Sequence, residues 1–398
     1  MRAAFHRALA LLPLLLLTRC ATTGSPRHGT EPIAMPPEEV RADLALLKMN
    51  DEELFAAGSS AFAAGEVARA AACFERLVTA FPESPHRARA RFNAGLARER
   101  LENWDAARQH FSEIADPLGT GDPLDAAFHQ AEALYHLDRY PEAATLLGRI
   151  AARSDLPAAR RIEAQVQQGI CQVDGGDLDE GEKTLRSALV NAKAASDRGE
   201  PADEYVTAQG QFFLGEIYRL HCEGVRFDPD AKADELSKTL EYKAELLLSA
   251  QGHYLRAIKI GNGYWATAAG ERIGNLYEVL HRQMIDSPTP RELNAEEAEV
   301  YRQELRRRIK VLLTKAIGVY ETTVATAERI GTAGPFVDRA RASLERMKQL
   351  LLAEADVPDE PPPPPEPAAK PSSRRRSIAR PRAAPASTAQ STAPDTGG

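Results

Sequence analysis

A pattern that returns every 37 residues constrains this chain more than any other feature of its sequence. Each unit places a small residue, a second small residue and then a larger apolar residue at fixed offsets. The residues that recur over four units are Gly58, Ala70, Phe74 and Pro82; Gly95, Ala107 and Phe111; Glu132, Ala144 and Leu147 beside Gly148; and Gly169, Gly181 and Leu185. Units of this size cannot bury a core alone, so the pattern predicts one stacked array rather than two or three separate domains.

Each unit has the pattern of two helices joined by a tight turn. Apolar residues recur at helical spacing on both sides of the turn. Turn-forming residues fall between them at Gly65, at Asn103, and within residues 138–141 and 175–177. Prolines at positions 82, 117 and 157 follow the second helices, where they stop helix growth. A glycine or alanine where the helices cross lets the backbones approach, and a phenylalanine fills the space beside it.

These residues resemble the tetratricopeptide repeat, whose pattern is Trp-x2-Leu-Gly-x2-Tyr, then Ala-x3-Phe, then Pro. Two later segments match its first part, Leu214-Gly215-Glu216-Ile217-Tyr218 and Ile273-Gly274-Asn275-Leu276-Tyr277. The resemblance covers residues 52–281 and implies an all-α superhelical solenoid of antiparallel helix pairs, packed through Gly215, Tyr218, Gly274 and Tyr277. The family repeat has about 34 residues, so a longer period implies longer helices or turns. The step of 59 residues from Gly215 to Gly274 implies a longer helix pair or an insertion within residues 227–260.

The helical pattern continues beyond these repeats. Two further long helices are predicted over residues 295–327 and 335–353, separated by Gly331 and Gly334, and they suit the terminal cap that a solenoid needs. The sequence therefore predicts four parts: a signal peptide over residues 1–19, a lipid-anchored linker over 20–50, the helical solenoid over 51–353, and a disordered tail over 354–398.

The first residues have the pattern of an export signal. A short basic region precedes an apolar run over residues 8–17, which would form only ~15 Å of helix. The run ends in Leu17-Thr18-Arg19-Cys20, which resembles a bacterial lipobox, although that family prefers Gly, Ala or Ser where Arg19 stands. The resemblance implies that Cys20 is lipidated, and Ala21 implies an outer-membrane location facing the periplasm. The alternative is a plain secretory signal.

The tail has the composition of a segment that does not fold. Five consecutive prolines over residues 361–365 favour an extended polyproline helix. Six cations then follow before the next acidic residue, namely Lys370, Arg374, Arg375, Arg376, Arg380 and Arg382. Such a segment buries too little apolar surface to form a core. It is either an arm that contacts an anionic cell-wall polymer, lipid or partner, or a solvated extension without a target.

No pattern in the sequence indicates a catalytic, cofactor or metal site. The motifs His-Glu-x-x-His, Gly-x4-Gly-Lys-Ser/Thr, Gly-x-Ser-x-Gly and Cys-x-x-Cys are missing. His129 and His136 could share a helix face, but two histidines without a carboxylate or cysteine partner make a poor metal site. We therefore expect no enzyme activity, no cofactor and no metal. The alternative is an envelope enzyme with a sheet-containing domain between residues 225 and 350.

Charge and cysteine content restrict the partners further. With 50 basic and 57 acidic residues, the chain is not one that coats nucleic acid. Cys73, Cys171 and Cys222 lie on predicted helices in different repeats, where small buried residues are expected. A disulfide between two of them is the alternative, since the periplasm is oxidising.

The resemblance implies that the first helices of the repeats line a concave groove. The equivalent groove positions are Phe55, Phe92, His129, Val166 and Phe212, and two turns later Phe62, Glu99, His136, Val173 and Arg219. This set does not support a clamp for a carboxylate terminus. It predicts an apolar and aromatic floor, centred on Phe55, Phe62, Phe92, His129 and Phe212, that suits a helix or an extended segment. The alternative is that these rings pack between repeats.

The resemblance and the export signal together predict an outer-membrane lipoprotein that scaffolds other envelope proteins. Residues 264–277, the prolines at 288 and 290, and residues 301–305 are similar to helical lipoproteins of myxobacterial gliding machinery, so gliding motility is the first expectation. The alternatives are an assembly factor for outer-membrane proteins or the pilus secretin, and a soluble periplasmic regulator of cell-wall enzymes.

Overall fold

The computed structural model describes residues 45–117, 119, 121–228, 231–286, 288–290 and 292–355, and within these ranges it contains helices and no strand. The expectation of an all-helical repeat fold is thus confirmed. The helices are α1 (Asp51–Ala63), α2 (Val67–Ala80), α3 (Arg87–Arg100), α4 (Trp104–Ser112), α5 (Asp122–His136), α6 (Tyr140–Ala151), α7 (Ala158–Asp174), α8 (Leu178–Asp197), α9 (Glu204–Gly224), α10 (Ala233–Ile260), α11 (Gly263–Ile285), α12 (Ala295–Ile330) and α13 (Pro335–Ala355).

The helices pack as a one-dimensional array. Every helix contacts the next one along the chain, and further contacts join odd-numbered helices, α3 with α5, α7 with α9, α9 with α11, and α11 with α13. The odd-numbered helices therefore form one layer and are the first helices of successive pairs. The second helix of the fifth pair is the single helix α10 of 28 residues. Of the two expectations for residues 227–260, a longer helix pair or an insertion, the structure therefore shows the longer helix.

Left-handed residues at the turns fix the register of the first four pairs. Gly65, Glu102, Asp138 and Gly176 have φ angles of 80°, 56°, 58° and 90° and each lies between the two helices of a pair. The glycine or alanine of the second helix follows five residues later, at Ala70, Ala107, Ala143 and Gly181. In the third pair this position is therefore Ala143, which is wholly buried, rather than the predicted Ala144.

The third pair is one residue out of phase because its first helix reaches the turn one residue earlier. The residue equivalent to Gly58 is Ala131, which is buried, rather than Glu132. Likewise the residue equivalent to Phe55 and Phe92 is Phe128 rather than His129. A strict period of 37 hides this shift, since the next interval is one residue longer.

The repeated glycines lie where two helices cross. A Cβ on Gly58 would stand 2.7 Å from the ring of Phe74, one on Gly95 2.6 Å from Phe111, and one on Gly169 2.7 Å from Leu185. A methyl group at such distances would force the neighbouring ring or Leu185 to shift, so glycine favours this close approach. The two rings and Leu185 are buried and fill the space beside the crossing.

The fifth and sixth pairs repeat the crossing with tyrosine instead of phenylalanine. A Cβ on Gly215 would lie 2.5 Å from the ring of Tyr254, and one on Gly274 would lie 2.4 Å from the ring of Tyr320. These tyrosines follow their glycines at larger offsets than in the first four pairs because the turns and the second helices α10 and α12 are longer. The period of 37 therefore does not find them.

The tyrosines of the two Gly-x2-Tyr segments join neighbouring pairs by hydrogen bonds. The Tyr218 hydroxyl donates to Glu182 Oε1 of α8 over 2.6 Å, and its ring stacks on His253 of α10. The Tyr277 hydroxyl donates to Gln251 Oε1 of α10 over 3.1 Å. Each tyrosine thus ties its first helix to the second helix of the preceding pair.

The structure describes the predicted positions of three cysteines and one proline, whereas other predicted features lie outside the described residues. Cys73, Cys171 and Cys222 are buried free thiols of α2, α7 and α9. Pro82 follows α2, after the helix has ended. Cys20, the export signal and the basic tail lie outside the described residues. Among the described helices, none combines the length and the apolar character needed to cross a membrane.

Candidate functional site on the inner helices

The odd-numbered helices, which we call the inner helices, present phenylalanine rings beside arginine side chains in the N-terminal pairs. Phe55 and Phe62 of α1 are half-buried, and both are contacted by cations of α3. The Arg100 guanidinium lies 3.8 Å from the centroid of the Phe62 ring, and that of Arg89 lies 5.6 Å from the Phe55 centroid. Such geometry is attractive because a cation lies over the negative face of a ring. We call Phe55, Phe62, Arg89 and Arg100 the ring–arginine wall.

The two arginines of this wall are exposed, and among the described residues neither has a carboxylate at ion-pair distance. By contrast, Arg160 of α7 lies over the Phe128 ring at 4.2 Å and also pairs with Asp125 and Glu163. The charge of Arg160 is thus already compensated within the chain. The arginines of the ring–arginine wall are therefore better placed than Arg160 to pair with the carboxylates of an acidic partner.

Phe92 and His129 continue the inner face from α3 to α5. The Phe92 ring contacts the edges of both Phe111 and His129, with centroids 5.6 Å away in each case. His129 also stacks on Phe111 with centroids 5.0 Å apart, and its Nδ1 lies 3.1 Å from Glu99 Oε1. Burial lowers the pKa of His129, but the carboxylates of Glu99 and Glu132 outweigh it and raise that pKa above its ordinary value.

Phe212 does not belong to an accessible groove. It is only 3% exposed and packs among Tyr254, Trp265 and Phe336 in the core of the C-terminal pairs. The alternative interpretation, rings that pack between repeats, is therefore correct at this position. Val166, at the equivalent position of the fourth pair, is buried as well.

Charged side chains replace rings on the inner helices of the C-terminal pairs. Glu216 of α9 is 1% exposed. Its two oxygens accept hydrogen bonds from Arg219 and Arg272, over 2.9–3.2 Å, and a short one from the Tyr254 hydroxyl. Burial raises the pKa of Glu216, but the two guanidiniums outweigh this effect and hold the pKa below its ordinary value. We call Glu216, Arg219, Tyr254, Arg272 and Glu271 the ionic cluster.

The ionic cluster extends towards the last helix. Arg272 also donates to Glu271 Oε2 over 3.1 Å, and Arg339 of α13 lies 3.7 Å from Glu271 Oε1. A third buried carboxylate, Glu278, accepts from the Tyr320 hydroxyl over 3.2 Å and pairs with Arg346 at 3.5 Å. Since these acceptors already have partners, the arrangement stabilises helix contacts rather than presenting a reactive group.

Sequence reasoning did not find the ionic cluster. Its visible signal is a polar residue after the glycines of the fifth and sixth pairs, Glu216 directly after Gly215 and Glu278 one turn after Gly274. An apolar residue would fit a buried helix face at these positions. The cluster explains why Arg219, at a predicted groove position, is buried and paired with Glu216 and Glu223.

One family model and several solved structures are similar to this chain. The model of the tetratricopeptide repeat family matches residues 55–123. A search of curated proteins finds no match. Among solved structures, a tetratricopeptide repeat protein from Parabacteroides merdae is 12% identical, with 75% of this chain and 98% of that chain covered and a TM-score of 0.35.

Two further solved structures are similar at the same level. A TPR repeats protein from Bacteroides fragilis is 13% identical, with 77% of this chain and 99% of that chain covered and a TM-score of 0.27. A Rap protein complexed with competence and sporulation factor is 13% identical, with 80% and 92% covered and a TM-score of 0.36. Likenesses this distant carry no inference about partners.

Proposed function

We propose that the chain, whose residues 55–123 match the tetratricopeptide repeat family, is a non-enzymatic scaffold that binds a segment of a partner protein along the ring–arginine wall. The supporting observation is the pair of exposed guanidiniums, Arg89 and Arg100, that lie over half-buried rings without a carboxylate partner among the described residues. A segment that carries both carboxylates and apolar side chains complements this surface, since the rings bind its apolar side chains and the arginines its carboxylates.

A photo-crosslinking experiment tests this binding mode in intact cells. The photoreactive amino acid replaces Phe62 in the wall, or Val190 on the exposed side of α8 as the control. We expect a discrete adduct from position 62 and none of the same mass from position 190. Reversal of both charges, Arg89→Glu with Arg100→Glu, should abolish that adduct. An adduct that survives the double reversal, or that forms equally at position 190, would contradict the proposal.

We further propose that Cys20 is lipidated and anchors the scaffold in the outer membrane, facing the periplasm. This proposal rests on the sequence Leu17-Thr18-Arg19-Cys20 and on Ala21 after it. Two or three acyl chains give stable anchoring, because each buried methylene contributes ~0.8 kcal/mol. Metabolic labelling with an alkyne fatty acid should mark the wild-type chain and not the Cys20→Ser variant. An unlabelled wild-type chain in the soluble periplasmic fraction would contradict the anchor.

Within the envelope, gliding motility is the process that we propose for the scaffold. It rests on the similarity of residues 264–277 and 301–305 to helical lipoproteins of that machinery. Deletion of the gene should reduce gliding on a surface while pilus secretin and outer-membrane protein levels stay unchanged. Loss of secretin multimers would instead assign the scaffold to secretin assembly. If removal of residues 357–398 abolished binding to the cell wall, the result would favour the alternative function, a periplasmic regulator of cell-wall enzymes.

A further inference from the structure

Three side chains with metal-ligating atoms meet between α3 and α5. Glu99 lies in the last turn of α3, and His129 and Glu132 lie three residues apart on α5. His129 Nδ1 is 3.1 Å from Glu99 Oε1 and 3.9 Å from Glu132 Oε2, and one ligand atom from each residue lies within 4.8 Å of the other two. The three residues are half-buried, so the atoms are near solvent without being fully exposed.

The spacing of these atoms suits a small ion better than a large one. A tetrahedral zinc ion with bonds of about 2.0–2.2 Å separates its ligand atoms by about 3.3–3.5 Å. The distances of 3.1 and 3.9 Å from His129 Nδ1 to the two carboxylates lie on either side of that value. A spacing of three residues places His129 and Glu132 on one face of α5. Glu99 is brought to that face because α3 and α5 contact each other.

Aromatic packing holds the imidazole in place. The His129 ring stacks on the buried Phe111 ring with planes 16° apart, while the Phe92 ring contacts it edge-on. Two rings from a different repeat therefore limit rotation of the imidazole. A ligand that is fixed before the metal arrives loses less conformational entropy on binding.

The charges around His129 favour a divalent cation. Glu99 and Glu132 place carboxylate oxygens beside the imidazole nitrogen, and both groups are ligands of divalent metal ions. Asp125, one turn earlier on α5, is already paired with Arg160 of α7. A nitrogen ligand beside two carboxylates favours zinc over calcium or magnesium, which prefer oxygen ligands only.

We propose that Glu99, His129 and Glu132 form a zinc-binding site on the inner face between the second and third helix pairs. Three protein ligands leave the fourth position of a tetrahedral ion for water or for a side chain of a bound segment. The site joins two successive repeats and would stabilise the contact between them. It does not depend on the ring–arginine wall, so either proposal can fail alone.

Titration of the full chain with zinc chloride, followed by isothermal calorimetry, tests the site. We expect one bound zinc ion per chain. Glu99→Gln and His129→Phe should abolish binding or weaken the zinc affinity by at least ~10–100-fold, since loss of a group that only orients a metal ligand already costs that much. His136→Phe is the matched control, since His136 lies on the same helix and stacks on Trp104 at 3.8 Å. Circular dichroism melts establish that each variant is folded.

Cobalt(II) substitution gives an independent readout. A tetrahedral site containing one nitrogen and two carboxylate ligands should produce visible absorption bands in the wild-type chain and in His136→Phe, and these should be absent in Glu99→Gln. A wild-type chain that binds no zinc would overturn the proposal. Binding with unchanged stoichiometry and affinity in both Glu99→Gln and His129→Phe would overturn it as well, because the ion would then reside elsewhere.

Discussion

The N-terminal pairs (α1–α8) and the C-terminal helices (α9–α13) use the same helix crossing but fill it with different chemistry. At Gly58 the space beside the crossing is filled by the ring of Phe74, which has no polar atom and needs only apolar neighbours. At Gly215 it holds Tyr254, whose hydroxyl reaches the buried Glu216. The tyrosine hydroxyl is thus accompanied by a buried carboxylate, Glu216, whose charge is compensated by Arg219 and Arg272.

The comparison shows two ways of joining repeats. An apolar crossing depends on shape, so it tolerates change as long as volume is kept. An ionic crossing depends on every member, because removal of one partner leaves an uncompensated charge in the interior. The C-terminal helices should therefore be coupled more tightly to one another than the N-terminal pairs are.

The largest expected effect comes from Arg272→Ala. It removes a partner from both Glu216 and Glu271, which are 1% and 3% exposed. Breaking a buried pair in this way costs about 3–5 kcal/mol. The measurement is urea unfolding of a Trp104→Phe background, in which the fluorescence of the buried Trp265 in α11 reports on the C-terminal helices.

The control is Arg98→Ala in the N-terminal pairs. Arg98 pairs with Glu75 over 2.6 Å, but both side chains are 28% exposed. Solvent partly screens such a pair, and His110 remains as a partner of Glu75 after the substitution. Its loss should therefore cost about 1 kcal/mol. Trp104 at the start of α4 reports on that region in a Trp265→Phe background. Equal losses for the two arginine variants would show that the proposed difference between the regions is wrong.

Acidity should act in opposite directions on two carboxylates of the array. Burial, followed by the nearby Glu216 carboxylate, raises the pKa of Asp174 from 3.8 to about 6, despite the hydrogen bond from Tyr135. The protonated acid is therefore favoured in the native state. The protonated carboxyl group contributes about 3 kcal/mol to the free energy of unfolding. This contribution is fully present below about pH 4 and is lost as pH rises through 6.

Glu75 should behave in the opposite way. Burial raises its pKa, but hydrogen bonds from His110 and Arg98 outweigh burial and lower the pKa from 4.5 to about 2. Its stabilisation is present above its ordinary pKa and is lost as pH falls towards 2. Urea midpoints between pH 4 and 7 should lose part of their pH dependence in Asp174→Asn and keep it in Glu75→Gln. Parallel curves for wild type and Asp174→Asn would contradict the assignment.

A smaller difference is expected between Gly215→Ala and Gly58→Ala. Both substitutions place a methyl group against a ring, and overpacking typically costs ~1–3 kcal/mol. The Phe74 ring can yield within an apolar surrounding, whereas Tyr254 is bonded to Glu216 and cannot move without breaking that contact. Gly215→Ala should therefore shift the thermal midpoint further, and a larger shift for Gly58→Ala would invert this interpretation.

The helix pairs could be predicted from sequence because the crossing needs small residues at a regular distance. The turns at Gly65 and Gly176 are visible for the same reason, since they adopt a left-handed conformation that glycine favours. The shift at Ala131 and Ala143 could not be seen, because no glycine marks the turn at Asp138 and Ala144, beside Ala143, fits the period of 37. Small neighbouring residues then make two registers look alike.

The inner face was harder to predict than the helices. The pair of His129 and Glu99 joins residues from successive repeats, so it depends on how α3 and α5 pack and not on a spacing along the chain. Tyr254 and Tyr320 were missed because turn and helix lengths change their offset from Gly215 and Gly274. Phe212 matched the pattern of a groove residue, but a denser core encloses it.

Lys243 can report on the separation of α9 from α10. Its side chain is wholly buried, and its ammonium donates to the carbonyl oxygens of Cys222 and Val225 over 2.6 Å each, where α9 ends. An amine-reactive acylating reagent cannot reach Nζ until α10 separates from α9. The acylation rate of this one lysine, read by mass spectrometry, therefore gives the frequency with which the fifth pair opens, while exposed Lys183 and Lys193 supply the unprotected rate.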